Sequence, residues 1–186
     1  MRRVLTIRMN EAAVTALQPL AADDLPTVGG TLDQDLQDML AQGLTDNEGA
    51  LIFTAHIGQW PAAPASVPAA VAKMGWRDLT GYECNYNSFH LEDHAPVKVT
   101  ILDDGQLQIN TEGQVVLLRL GMVVADAVLR LVRALPQPTA VRCIILANDT
   151  NSTFRFHRIR PGEDWIDLED LERYPREMTV VLDSHP

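Results

Sequence analysis

The run from Gln114 to Leu135 limits what this chain can fold into more than any other segment. It is dense in Val and Leu and has the length of a membrane span, yet Arg119, Asp126, Arg130 and Arg133 interrupt it. Charges inside a span are costly in lipid. Asp126 and Arg130 stand four residues apart with the acid on the N-terminal side, the order that supports a water-facing helix surface. The run is therefore a core element of a soluble protein. Its later part, from about Gly121 to Leu135, reads as a helix, whereas Val115 to Leu120 is open between strand and helix.

Short β-type runs surround this element. Arg3 to Met9 alternates, Ala50 to Ile57 and Val141 to Ala147 are mostly apolar and read as buried strands, and Met178 to Leu182 closes the series. Val97 to Leu102 and Gln106 to Asn110 flank Asp103-Asp104-Gly105, where Asp-Gly supplies the positive φ of a tight hairpin turn. Thr111-Glu112-Gly113 offers a further turn. Thr153 to Arg160 places Phe154 and Phe156 on one side, with Arg155, His157 and Ile159 on the other.

Helices fill the intervals. Asn10 caps a helix from Glu11 to about Leu20, and Thr31 caps one with Leu32, Leu36, Met39 and Leu40 on a single face, closed by Gly43. A short helix follows around Pro68 to Met74, near Ser66, and an acidic one covers Asp167 to Arg173. The Pro/Ala stretch from Trp60 to Pro68 is the best linker candidate, but it is short. Residues 76–94 are aromatic, polar and irregular. The expected fold is α+β: a single domain over 1–186, with a mostly antiparallel sheet and several helices packed on it. At 186 residues such a domain buries roughly 70% of the surface its unfolded chain exposes.

The charge balance narrows the partners. Twenty-five acidic residues against 15 basic ones give a net charge of −10. That field repels phosphate backbones and anionic membrane surfaces, and it favours basic proteins. Cys84 and Cys143 read as free thiols of a reducing compartment. The basic N-terminus leads into an apolar stretch too short for a secretory signal, so cytoplasmic residence is expected.

Several constellations carry candidate chemistry. Cys84, His90 and His94 offer soft and borderline ligands for zinc, and the two histidines have i,i+4 spacing. A metal-dependent hydrolase would use them with Glu92 or Glu83 as general base. Against this, no Glu adjoins the first His as in the zincin signature, and Cys-x5-His-x3-His matches no structural zinc pattern. Cys84 or Ser88 beside His90 or His94 would be a nucleophile only within hydrogen-bond reach. Gly29-Gly30-Thr31 precedes a helix, but Asp33 and Asp35 oppose phosphate there.

The strand Phe154 to Arg160 interleaves aromatics with cations. With an acidic background, its Phe side reads as core and its Arg side as partners for Asp164, Asp167, Glu169 and Asp170. The run Glu163 to Glu172 holds six acids (Glu163, Asp164, Asp167, Glu169, Asp170, Glu172) and no base. It is a solvated helix or a face for a basic partner. Trp76, Tyr82 and Tyr86 are a second candidate contact surface or anchors of a long segment. No catalytic signature stands out. The expected function is a non-enzymatic acidic binding module without a cofactor. It would be an inhibitor of a basic partner, of the bacterial toxin-immunity or antitoxin type. The metal-dependent hydrolase and a structural subunit or small-ligand carrier are the alternatives.

Overall fold

The structure is a computed structural model that describes residues 4–18, 32–58 and 66–185. Thr31, the Gly29-Gly30 pair, the continuation of the first helix to Leu20 and most of the 60–68 connector lie outside the described residues. The fold is α+β. A five-stranded, wholly antiparallel sheet runs in the order β1 (Val4–Met9), β9 (Met178–His185), β7 (Val141–Ala147), β8 (Ser152–Arg158), β4 (Phe89–His90). Two hairpins stand apart from it: β2 (Leu44–Asn47) with β3 (Ala50–Phe53), and β5 (Val99–Ile101) with β6 (Leu107–Ile109).

Helix α5 (Thr111–Ala134) covers one face of the sheet. It begins ten residues earlier than Gly121, and Thr111-Glu112-Gly113 is its first turn, capped by the Asn110 side chain on the Gly113 N–H. Val115 to Leu120 belongs to the helix because Leu117 and Leu118 continue the buried stripe of Met122, Ala125, Val128, Leu129 and Val132. Asp126 and Arg130 pair on its outer side as their spacing requires. Gly121 sets how closely α5 approaches β7: a Cβ there would stand 2.6 Å from Ile145 Cγ2. Among the described residues no helix is long and apolar enough to cross a membrane.

The remaining helices are α1 (Glu11–Leu17), α2 (Gln34–Ala41), α3 (Val67–Met74) and α4 (Leu79–Tyr86). Asn10 and Ser66 cap α1 and α3, but α2 is capped by Asp33, whose carboxylate accepts the Leu36 N–H at 2.9 Å. The strand expected over Ala50 to Ile57 ends at Phe53 and turns into a short 3-10 segment, Thr54–His56. Region 76–94 is not irregular. Asp78 caps α4, a helix in which Thr80, Gly81, Tyr82, Glu83 and Cys84 are all buried. With almost no solvent-facing side, it carries no amphipathic period.

The α5 face of the sheet is dry: Cys143, Ile145, Phe154, Phe156, Val180 and Leu182 meet the helix there. The opposite face mixes Ile144, Leu146 and Val181 with Arg142, Arg155, His157 and Asp183. Residues 159–176 cross it as a strap, laying Ile166, Leu168 and Leu171 on Ile144, Leu146 and Val181.

Candidate functional site

The strap leaves β8 through Pro161 and Gly162, whose φ of +78° makes the turn available to glycine at little cost. The acidic helix expected over Asp167 to Arg173 does not form; a single 3-10 turn spans Leu171–Arg173. Asp167 instead accepts the Glu169 N–H at 3.0 Å, and such local side-chain bonds compete with a helical backbone. The result is an extended cover, with alternate side chains directed to the sheet and to solvent.

Its six acids divide into two groups. Glu163 accepts the Thr80 N–H at 3.1 Å and approaches Arg160 at 4.0 Å, tying the strap to the start of α4. Asp164 pairs with Arg142 at 2.9 Å. Arg142 is buried, and it also holds Asp183 through two bonds of 2.7 and 3.0 Å, with Arg8 on the same carboxylate at 2.8 Å. These carboxylates raise the already high pKa of the Arg142 guanidinium against the cost of its burial.

Glu172 accepts the Glu11 N–H at 2.8 Å, at the start of α1. Asp167, Glu169 and Asp170 face solvent and form no ion pair among the described residues. Two aromatics are exposed beside them, Trp165 at 38% and Tyr174 at 48%. Trp165 carries the Arg155 guanidinium 5.1 Å from its ring centre, which fixes the ring without covering it. A recess of about 410 Å³ opens between Asp164, Trp165, Ile166, Asp167, Leu168 and Glu169. The strap is thus a fixed surface of carboxylates and aromatic rings with an apolar underside.

Arg158, at the end of β8, and Arg160, just beyond it, find other partners than those expected from the strap. Arg158 pairs with Asp46 at 2.6 Å, and Arg160 grips Glu83 through two bonds of 2.7 and 2.8 Å. Of the expected strap acids only Asp164 is used, and by Arg142. The reason is position: both arginines point past the strap toward α4 and hairpin β2–β3.

Trp76, Tyr82 and Tyr86 form a separate aromatic cluster. The two tyrosine rings stack at 4.4 Å, and Trp76 meets them edge-on at 5.4 and 6.2 Å. Together they pack against Ala50, Ile52, Val67 and Ala70, binding α4 to α3 and β3. Tyr82 is buried, and that burial, with Tyr86 beside it, pushes its phenol up to about 12. Trp76 and Tyr86 stay half-buried.

Cys84, His90 and His94 are held apart. Cys84 is wholly enclosed in α4, where burial raises its thiol far above the ordinary range, so it is protonated and not the thiolate a metal takes. His90 Nδ1 lies 3.0 Å from Glu92, whose other oxygen accepts the Ser152 N–H. His94 Nδ1 lies 2.9 Å from Asp33, and its ring stands edge-on to Phe89. His56 bonds the Tyr86 carbonyl and His157 the Arg158 carbonyl. Among the described residues no three His, Cys, Asp or Glu side chains stand where they could hold a metal ion. Glu83, the other candidate base, is spent on Arg160 and on the Leu51 and Arg158 N–H groups.

Sequence reasoning missed Trp165 and Tyr174 as surface groups. The signal was present: large aromatics within and just after a run of acids, where the opposite side of the segment already supplies Ile166, Leu168 and Leu171 to the core.

Residues 9–186 match the family described as the Uncharacterized protein PM0498 family, and the chain belongs to it. No curated protein and no solved structure matches the chain.

Proposed function

We propose that this member of the PM0498 family is a non-enzymatic binding module that offers the outer side of its strap, residues 163–172, to a basic protein. The observation that carries this reading is the combination of solvent-facing carboxylates that form no ion pair among the described residues (Asp167, Glu169, Asp170) with exposed Trp165 and Tyr174. Carboxylates steer a basic partner to the surface, and aromatic rings supply the desolvated contacts that hold it. Glu163, Asp164 and Ile166 pin the strap to the body, so little ordering cost remains on binding. Neutralising a basic enzyme, as immunity proteins and antitoxins do, is the role this surface suits best. Cytoplasmic residence, with Cys84 and Cys143 as buried free thiols, accords with it.

The test is native mass spectrometry of the chain isolated from its own host, followed by cross-linking of any complex. Cross-links should fall on residues 163–174. A variant with Asp167, Glu169 and Asp170 changed to Lys should lose the partner by about 100-fold or more, at an unchanged melting temperature. Trp165→Ala should weaken binding about 30-fold. Association that survives both changes rules the reading out.

A further inference from the structure

We propose that the recess between Asp164 and Glu169 on the strap is the seat for an arginine side chain of the basic partner, and that it takes arginine in preference to lysine. This rests on the reading of the strap as a surface for a basic protein and names the group that the surface holds.

The recess, at about 410 Å³, is of the size that takes small molecules or single side chains. Three kinds of group border it. Ile166 and Leu168 are apolar and belong to the cluster beneath the strap; Trp165 supplies an aromatic ring; Asp167 and Glu169 supply carboxylates. Asp164, the third acid at the rim, is already paired with Arg142. No cationic side chain borders the recess, so nothing within the chain neutralises Asp167 and Glu169 there.

These groups together complement one type of side chain. Arginine carries an apolar stem and a planar cation with its N–H donors in a fixed fork. The stem suits Ile166 and Leu168, the plane suits the indole, and the fork suits the carboxylates. Lysine would meet the carboxylates as a compact, strongly hydrated charge and forgo the stacking. An aliphatic or aromatic side chain would cover the ring but strip water from two carboxylates without offering them a donor.

The molecule already contains one instance of the contact. Arg155 reaches up from β8 and holds its guanidinium 5.1 Å from the Trp165 ring centre. It forms no ion pair among the described residues, so the ring holds this guanidinium without a carboxylate beside it. Arg155 does not border the recess, and Trp165 keeps 38% of its surface exposed, which leaves part of the ring open to a second guanidinium. Two cations near one ring repel each other. Asp167 and Glu169, on the recess side, offset that repulsion.

The seat can be tested without the partner, by titrating the full chain with N-acetyl-arginine amide and with N-acetyl-lysine amide. The readout is the NMR shift of the Trp165 indole N–H and of the backbone amides of residues 164–169. The arginine compound should bind with a Kd of about 1–10 mM, and the lysine compound at least about 3-fold more weakly. Asp167→Asn combined with Glu169→Gln should weaken the arginine compound about 3-fold or more. Trp165→Leu should abolish the preference for arginine over lysine, read on the backbone amides. Absence of binding up to about 50 mM, equal binding of the two compounds, shifts confined to other regions, or a preference that survives Trp165→Leu would overturn the proposal. Failure here, with a basic protein still cross-linked to the strap, would remove the arginine seat and leave the partner reading intact. Seating of the arginine compound with no host protein captured would do the opposite.

Discussion

Hairpins β2–β3 and β5–β6 both stand outside the main sheet and both are short, yet the molecule treats their free edges in opposite ways. The outer edge of β3 is closed by side chains. Glu83 accepts the Leu51 N–H, and Asn87 accepts from Phe53 while donating to the Leu51 and Phe156 carbonyls. Arg158 and Arg160 then donate to the Gly49 carbonyl in the turn. All of β3 is buried. The outer edge of β5 meets none of this. An edge satisfied by side chains belongs to the body, whereas one left open is available for another strand. Buried polar residues, more than apolar ones, separate the enclosed hairpin from the open one.

Experiments can break this contrast in order of severity. Glu83→Ala should cost about 3–5 kcal/mol in urea unfolding, because it removes both carboxylate bonds of Arg160 and leaves the Leu51 and Arg158 N–H groups without a partner in a buried site. Asn87→Ala should cost about 2–3 kcal/mol, since three backbone groups lose their bond together. A loss below about 1 kcal/mol for either would mean that water replaces these side chains and that β3 is not closed by them.

Acid should act on the same side of the molecule, more gently. Burial lowers the pKa of His157 and of His56. The His157 Nδ1–H donates to the Arg158 carbonyl, leaving Nε2 without a partner, with Arg142, Arg160 and Glu83 as the charged groups around it. Both rings take up protons more readily once unfolded. Their contribution is therefore complete above the unfolded pKa of about 6.5 and is lost as pH falls through the lower folded values. Urea midpoints should drop between pH 7.5 and 5, and His157→Gln should flatten that slope. A midpoint constant over this window would show that neither ring titrates on unfolding. Residues 97–110 contain no histidine, so hydrogen exchange there should respond less to acid than exchange over 50–56.

The smallest effect belongs to the open hairpin. Ile101→Ser should leave stability within about 0.5 kcal/mol. A larger loss would mean that the β5–β6 face already has a partner within its own chain.

Much of the architecture was legible. The strand Val141–Ala147 and the Met178 to Leu182 part of β9 announce themselves by largely apolar content, and hairpin β5–β6 by Asp104-Gly105. Helix α4 was not legible, because a helix enclosed on all sides has no polar face to set a period. Nor was β2, whose Thr45, Asp46 and Asn47 read as loop until Arg158, more than a hundred residues away, takes Asp46. The acidic run stood out by composition alone. Its division into inward anchors and outward carboxylates did not, since it depends on Arg142 and Thr80 arriving from separate elements.

The position of β9 has a consequence for how the chain comes to be folded. It lies between β1 and β7, so the strand made first borders the strand made last. On a ribosome β1 can find no edge until residues 178–185 emerge, and α5 waits over a sheet that lacks an inner member. The β7–β8 hairpin, with β4 on its edge and α5 lying against it, can form before β9 is made. Closure of the rest is a late, long-range event, with Leu5, Ile7 and Met9 exposed until it happens.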